Sequence, residues 1–301
     1  MAPMSRRAMI VGSIAATSAT VLGVAACSSG RDSEEGSRDA TAGLRELEVA
    51  NRARIGVYAR DLRSGKTVVH RPDDSFAICS TFKAYLVARV QQLVERDELS
   101  LATRVYVDPG EIKTHSPVTQ RYAGGPVDIG VLCRAAVQES DNTAANLLLR
   151  AIGGPPGLTA FARSIGDERT RLDRWETELN SAIPGDPRDT STPGALAGGF
   201  TAILAGDEVL AVSRRQQLTD WMLANQTSSM RAGLPAGWTS ADKTGGGDYG
   251  STNDVGLVMG PDGQRVMVAV MIRSTGDNPE VPGYRPLVGE VTRAVLADVT
   301  G

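Results

Sequence analysis

Ser80 and Lys83 stand three residues apart at the head of a strongly apolar stretch, Ser80-Thr81-Phe82-Lys83. On a helix that spacing puts both side chains on one face, within reach of each other. The serine falls at the predicted helix start, where unpaired backbone N–H groups and the dipole favour a developing anion. A hydroxyl is a poor nucleophile until a base takes its proton, and a desolvated lysine with a lowered pKa is such a base. A capped surface helix meets the same spacing, serine being a good N-cap and lysine an ordinary surface residue. Composition shifts the balance. Of the 32 basic residues only four are lysines, Lys66, Lys83, Lys113 and Lys243. In a chain that otherwise uses arginine, a lysine here points to a titratable amine, since arginine keeps its proton at useful pH.

Three further groups carry chemistry. Ser140-Asp141-Asn142 opens a predicted helix, and all three are also capping residues. Lys243-Thr244-Gly245 ends a predicted strand, where a cation and a hydroxyl can receive an anionic substrate and the glycine-rich end, Gly245-Gly246-Gly247, lets a ligand approach the backbone. Between them, Arg171 to Asp189 is charged and proline-rich, and reads as a compact loop. Within it, Glu176 and Asn180 put a carboxylate and an amide four residues apart, a pair able to hold one water as a general base must.

The elements that position these groups follow from hydrophobic period. Apolar residues at Leu44, Leu47, Val49 and Ala50 predict a first helix over residues 40–53. Strands are predicted at 54–62 and 67–70, joined by the turn Arg63-Ser64-Gly65-Lys66. The text from 80 to 211 is mostly helical, with helices at 85–94, 127–140, 144–152, 158–165 and 194–204. Strands return at 239–244, 253–259 and 266–274, and a last helix runs from about 286 to 299. Short turns between the terminal strands predict an antiparallel sheet with the helical segment as an inserted lobe, and a site in the cleft between them.

Composition excludes much. A net charge of −3 with no long basic tract argues against nucleic acid. Two histidines, His70 and His115, and three cysteines, without Cys-x-x-Cys or His-Glu-x-x-His spacing, leave little to build a zinc site. Gly65-Lys66-Thr67 lacks the earlier glycine of a phosphate loop, Arg60 standing there, and Gly245-x-Gly247-x-x-Gly250 falls between two strands rather than at a strand–helix turn. At the other end of the chain, Arg6-Arg7, an apolar run and Val24-Ala25-Ala26-Cys27 read as an export signal over 1–27 that closes on a lipoprotein box with Cys27 as the lipidated residue. Residues 28–40 hold no large apolar side chain and read as a flexible tether.

Taken in order and at these separations, Ser80…Lys83, Ser140-Asp141-Asn142, Glu176…Asn180 and Lys243-Thr244-Gly245 resemble the class A serine β-lactamases, over about residues 40–301, including Arg231-Ala232-Gly233-Leu234-Pro235. The resemblance implies an α+β fold: an antiparallel five-stranded sheet flanked by helices (residues 41–72 and 220–301) with an inserted all-helical lobe (73–219). It implies hydrolysis of the lactam amide, with Ser80 the nucleophile and Lys83, or Glu176 through a water, the acylating base. Ser140, fed by Lys243, would protonate the leaving nitrogen. Glu176 and Asn180 would hold the deacylating water, and the N–H groups of Ser80 and Gly246 the oxyanion. Asn142, Thr244, Gly245, Gly246 and His115 would contact the substrate. No cofactor is implied, the partner is a small β-lactam, and the protein is expected as an exported monomer, attached to the outer face of the membrane through Cys27 or released.

The departures are informative. Thr177 stands where the family most often has proline, and His115 where many members place an aromatic gate. Cys133 matches half of a disulfide found in some members, but Val87 occupies the partner position; Cys79 is expected as a buried neighbour of the nucleophile. Thr252 and Ser229 stand where members supply an extra arginine near the substrate carboxylate, so Arg285 or Arg273 would have to substitute. The competing readings are a penicillin-binding D,D-peptidase, which lacks the deacylating carboxylate, and a non-hydrolysing β-lactam sensor.

Overall fold

A computed structural model describes residues 42–301; Cys27, the export signal and the whole tether over 28–40 fall outside the described residues, as does Thr41. Helix α1 (residues 42–51) leads into β1 (Ala53–Asp61), which turns through Arg63–Lys66 into β2 (Thr67–His70). A short strand β3 (Phe76–Ala77) and a 3-10 turn at Cys79–Thr81 precede α2 (Phe82–Glu95). The middle of the chain holds β4 (Arg104–Tyr106), β5 (Pro126–Asp128), α3 (Ile129–Gln138), α4 (Asn142–Ala151), α5 (Gly154–Ser164), β6 (Thr190–Ser191), α6 (Pro193–Leu204) and α7 (Val212–Leu223). Strands β7 (Thr239–Gly246), β8 (Thr252–Met259) and β9 (Arg265–Ser274) and helix α8 (Arg285–Thr300) complete the fold.

The main sheet is antiparallel and five-stranded, in the order β2-β1-β9-β8-β7, so the first and last thirds of the chain meet at the β1–β9 pair. The fold is α+β, as the sequence predicts. Strand β9 reads as an unbroken apolar run because both faces of the sheet are covered. Val266, Val268, Val270 and Ile272 pack with α1 and α8, while Met267, Ala269 and Met271 face the larger core built on α2 to α7. Two features of the middle segment depart from an all-helical reading. β3 pairs with β6 and β4 with β5, making two-rung and three-rung ribbons too short to leave a period in the sequence. Helix α7 continues to Leu223, past the predicted end of the helical text, because Leu218, Trp221 and Met222 are its buried face.

The larger core closes around a buried polar pair, Tyr85 Oη donating to Asp167 Oδ2 at 2.7 Å. Gly199 on α6 lies directly over that hydroxyl, and a Cβ there would sit 1.7 Å from it. Gly199→Ala therefore has to displace Tyr85 and break the bond. The expected cost is about 2–4 kcal/mol, from overpacking plus a buried tyrosine hydroxyl that loses its acceptor. Thermal unfolding should show a drop of roughly 5–10 °C for a chain of this size.

Candidate active site

Three segments far apart in sequence converge on one buried ammonium. Lys83, on the first turn of α2, has no solvent exposure. Its Nζ donates to Ser80 Oγ at 2.9 Å, to the Ser140 carbonyl at 2.8 Å and to Asn142 Oδ1 at 2.6 Å, and lies 2.9 Å from Glu176 Oε1. Burial drives the pKa of Lys83 down, against the carboxylate of Glu176, which raises it. Ser80 lies in the 3-10 turn just ahead of α2 rather than on the helix itself, following Cys79, which takes a φ of 46°. Its hydroxyl donates to Glu176 Oε1 at 3.2 Å.

Ser140 has a φ of 57°, placing its hydroxyl between two lysines: Lys83 Nζ at 3.4 Å and Lys243 Nζ at 3.1 Å. Lys243 is fully buried at the end of β7. Burial first, and then the charge of Lys83, push its pKa down to about 7, with Asp254, Asp242 and Glu176 opposing. Strand β7 is the sheet edge. Gly247 N–H bonds to the Ser251 carbonyl at 3.0 Å, so antiparallel alternation turns the backbone of Lys243 and Gly245 toward β8 and that of Thr244 and Gly246 to the free edge. The Thr244 carbonyl accepts from Lys243 Nζ at 2.9 Å on that edge. A Cβ at Gly246 would have nothing closer than 3.9 Å, whereas one at Gly245 would meet the Ile78 carbonyl at 2.7 Å. Gly246 therefore faces open space, and Gly245 is packed against the nucleophile turn.

Glu176 is fully buried and joined to Thr177 by a cis peptide bond. Asn180, one turn on in a short 3-10 segment, donates Nδ2 to Glu176 Oε2 at 2.6 Å. The loop carrying them is pinned by Asp189, which accepts from Asp173 N, Arg174 N and Arg174 Nε at 2.7, 3.0 and 2.6 Å. The Asp189 carbonyl in turn receives Ile78 N–H at 2.9 Å, tying the loop to the nucleophile turn.

Asn142 Nδ2 donates to the Thr114 carbonyl, and its backbone N–H to the His115 carbonyl at 3.0 Å. His115 is exposed at the rim with its Nε2 2.8 Å from the Glu139 carbonyl. Thr244 Oγ1 shares a 2.5 Å bond with Thr227. Cys79 and Cys133 are buried free thiols, burial pushing both upward in pKa. Ser229 and Thr252 are occupied in loop bonding: Ser229 N–H goes to Asp254 Oδ2, and Thr252 Oγ1 accepts Tyr284 N–H. Arg285 Nη2 donates to the Thr227 carbonyl at 2.6 Å, two bonds from Thr244. Arg273 lines a different cavity, beyond the loop, with Arg54, Ile183 and Arg188.

Several supporting residues escape the sequence reading. Asn146 clamps Glu176 from both sides, accepting its N–H at 3.0 Å and donating to its carbonyl at 2.9 Å. It lies one helical turn after Asn142, a lone amide in the apolar run Ala144–Leu149, and that period was its signal. Asp141 does more than cap α4 through Ala144 N–H; it also takes Val118 N–H, Thr119 N–H and Thr119 Oγ1. Asn253 Nδ2 reaches the Ala77 and Ile78 carbonyls from β8, and nothing in its local sequence announces that role.

Comparison with known proteins agrees with this geometry. Residues 40–298 match the model of the beta-lactamase enzyme family. A beta-lactamase of Streptomyces lavendulae is 45% identical, with 99% of this chain and 97% of that protein covered. Beta-lactamase AST-1 of Nocardia asteroides is 42% identical, over 97% and 95% of the two chains. Among solved structures, a beta-lactamase from Burkholderia phymatum superposes with a TM-score of 0.85 at 39% identity, covering 88% of this chain and 99% of that one. A class A beta-lactamase representing the last common ancestor of Gram-negative bacteria gives 0.81 at 46% identity, over 86% and 98%. With the family model spanning nearly all the described residues and relatives aligned almost end to end, this chain belongs to the beta-lactamase enzyme family, as a serine enzyme of class A.

Proposed function

We propose that this β-lactamase opens the lactam amide by a two-step transfer through Ser80, with Glu176 as the base of both steps. The carrying observation is that Glu176 Oε1 lies 3.2 Å from Ser80 Oγ while Oε2 is held by Asn180. Lys83 is surrounded by stronger acceptors than the serine hydroxyl, namely a carboxylate, an amide oxygen and a carbonyl. That environment keeps the three ammonium protons in place despite burial, so Lys83 orients Ser80 and steadies the charge on Glu176. Ser80 Oγ then attacks the carbonyl as its proton passes to Glu176. The oxyanion develops toward the N–H groups of Ser80 and Gly246, the latter on the free edge of β7; each such donor is worth about 3–4 kcal/mol in the transition state. Ser140, between Lys83 and Lys243, delivers the proton that releases the lactam nitrogen and regains one from Lys83, which takes up the proton held on Glu176, so that the carboxylate is ionised again for the second step. In the second step a water accepted by Glu176 attacks the ester. Asn180 Oδ1, buried and without a protein donor among the described residues, is the second acceptor for that water.

Thr244 and Lys243 bind the substrate carboxylate, Asn142 the side-chain amide, with His115 at the rim. The protein thereby confers β-lactam resistance. Arg6-Arg7, the apolar run and the small residues before Cys27 support export and a lipid anchor.

Removing the carboxylate separates the two steps. Glu176→Ala should still be acylated, more slowly, but lose deacylation by at least about 10³-fold, the upper range for general-base catalysis. Intact-protein mass after exposure to penicillin should show the adduct persisting. With the parent enzyme, a chromogenic cephalosporin should turn over many times; a single stoichiometric burst would instead indicate a penicillin-binding protein or sensor. Parent-rate turnover in Glu176→Ala would overturn the assignment of the base.

Lys243 supplies a pH dependence. With its folded pKa near 7, the free enzyme carries the charge below that value and loses it above. For anionic β-lactams kcat/KM should therefore fall as pH rises through 7 to 9. The bound carboxylate stabilises the ammonium, so kcat should hold to higher pH. A kcat/KM flat to pH 9 would place the carboxylate-binding charge elsewhere.

Arg285 supports the substitution for the missing arginines at 229 and 252. Arg285→Ala should raise the penicillin KM about fivefold, since an exposed ion pair contributes about 1 kcal/mol. It should slow inactivation by clavulanate-type inhibitors and leave kcat within about twofold. An unchanged KM would remove Arg285 from carboxylate binding.

A further inference from the structure

A cavity of about 360 Å³ lies on the outer side of the loop that carries Glu176, walled by the paired ends of β1 and β9, the β3–β6 ribbon and the loop segment Ala182–Arg188. That volume is within the roughly 300–1,000 Å³ of small-molecule sites. Its charged lining is lopsided, three guanidiniums against two carboxylates. Asp186 is taken by Arg188 at 2.7 Å and Asp74 by Arg54 at 2.5 Å. Arg273 donates only to its neighbouring Ser274 carbonyl and is in no ion pair among the described residues.

The sheet register makes this arrangement costly. Arg54 and Arg273 are directly opposed on β1 and β9, so their side chains leave the same face together. Like charges in that relation destabilise a sheet, and no other rung of this pair repeats it. Burial, and then the charge of Arg54, hold the Arg273 guanidinium below its ordinary pKa, with Asp74 opposing. A carboxylate or phosphate would relieve the conflict, because a guanidinium fork takes two oxygens at once. Beside the cations, Phe76, Ile183 and Pro184 give an apolar wall, and Ile183 is 47% exposed.

We propose that this cavity is a second ligand site, taking a small molecule that carries a phosphate or carboxylate on an apolar body, with the oxyanion held by Arg54 and Arg273. Its walls belong to the catalytic parts. β3 runs directly into the turn bearing Ser80, and Ala182–Arg188 closes the loop begun at Glu176. Ser251, also in the lining, accepts the Gly247 N–H at 3.0 Å. A ligand here would fasten loop to sheet from behind, without touching the acyl site.

The test is thermal unfolding of the full chain at constant ionic strength, titrated with inorganic phosphate and separately with the ring-opened product of benzylpenicillin, chloride serving as the control anion. A saturable rise in Tm with either probe is expected. Phosphate alone would identify a tetrahedral anion as sufficient, and the dicarboxylate alone an organic acid with an apolar body; either supports the site when the response depends on Arg273, which separates it from binding at Lys243 and Thr244. In Arg273→Gln the midpoint should weaken at least tenfold, while the unliganded Tm stays level or rises because a like-charge contact is gone. Amide exchange over residues 182–188 should slow on saturation in the parent only. No saturable response to either probe, or the same midpoint in Arg273→Gln as in the parent, would overturn the proposal, whatever the variant's own Tm. Because neither readout uses turnover, the result is independent of the catalytic assignments above.

Discussion

Everything in the cleft is arranged around an ammonium that water cannot reach. Lys83 is wholly buried, and removing such a charge from water costs several kcal/mol unless neighbouring oxygens replace the lost solvation. Three segments provide those oxygens: the nucleophile turn, the Ser140–Asn142 junction and the loop of Glu176; the end of β7 joins them through Lys243, which donates to Ser140. None is adjacent to another in sequence. The ion therefore acts as a register, since the site is satisfied only when all the segments are in place at once. The scaffolding is consistent with that reading. Asn146 fixes the backbone of Glu176, Asn253 fixes that of Ala77 and Ile78, and Asp141 fixes the 118–119 segment onto α4. In each case a side-chain amide or carboxylate bonds to main chain, which holds a position more rigidly than two long side chains bonding to each other.

A second lysine in the same cavity works against the first. Lys83 and Lys243 flank one serine hydroxyl, and the charge of Lys83 contributes to the lowered pKa of Lys243. Such a conflict is stabilising for nothing in the resting protein. It makes sense for a reaction in which negative charge arrives with the substrate, grows on the carbonyl oxygen and must be matched at once by cations already desolvated. The buried acids behind Lys243 limit the conflict. Asp242 and Asp254 both raise its pKa, while Asp254 is itself pushed well upward, by burial and then by the charge of Asp242.

How much of this was legible depended on whether the determinant is local. The Ser-x-x-Lys, Ser-Asp-Asn and Lys-Thr-Gly groups are short because each sits on one turn or one strand end, so their residues are neighbours in sequence and in space. β7, β8, β9 and the last helix were legible for the same reason, their period or turns being contained in a dozen residues. The two small ribbons were not, because two or three rungs cannot establish an alternation. Helix α7 was hidden by a polar sequence, Val212 to Leu223, whose narrow buried face faces α2 and β7. Asn253 lies on a central strand with a side chain aimed at a carbonyl 175 residues earlier in the chain. No window of sequence contains both partners. The proposed lipid anchor is the opposite case, a reading that rests on a local motif, Val24-Ala25-Ala26-Cys27, in residues outside the described structure.

The nucleophile turn shows why the sequence can name residues without naming their geometry. Ser80 reads as a helix cap, yet it belongs to a 3-10 turn entered through Cys79 in the left-handed region. That conformation disfavours a side chain-bearing residue and persists only where its surroundings over-determine it. Here they do. Ile78 N–H is bound by Asp189, the Ile78 carbonyl by Asn253, and the Cβ and Sγ of Cys79 lie against Gly245 and Gly247. Three of those residues also serve a second catalytic element: Asp189 closes the loop of Glu176, and Gly245 and Gly247 flank the edge amide of Gly246. The strained turn, the carboxylate loop and the oxyanion edge are thus held by shared contacts, so moving any one of them moves the serine.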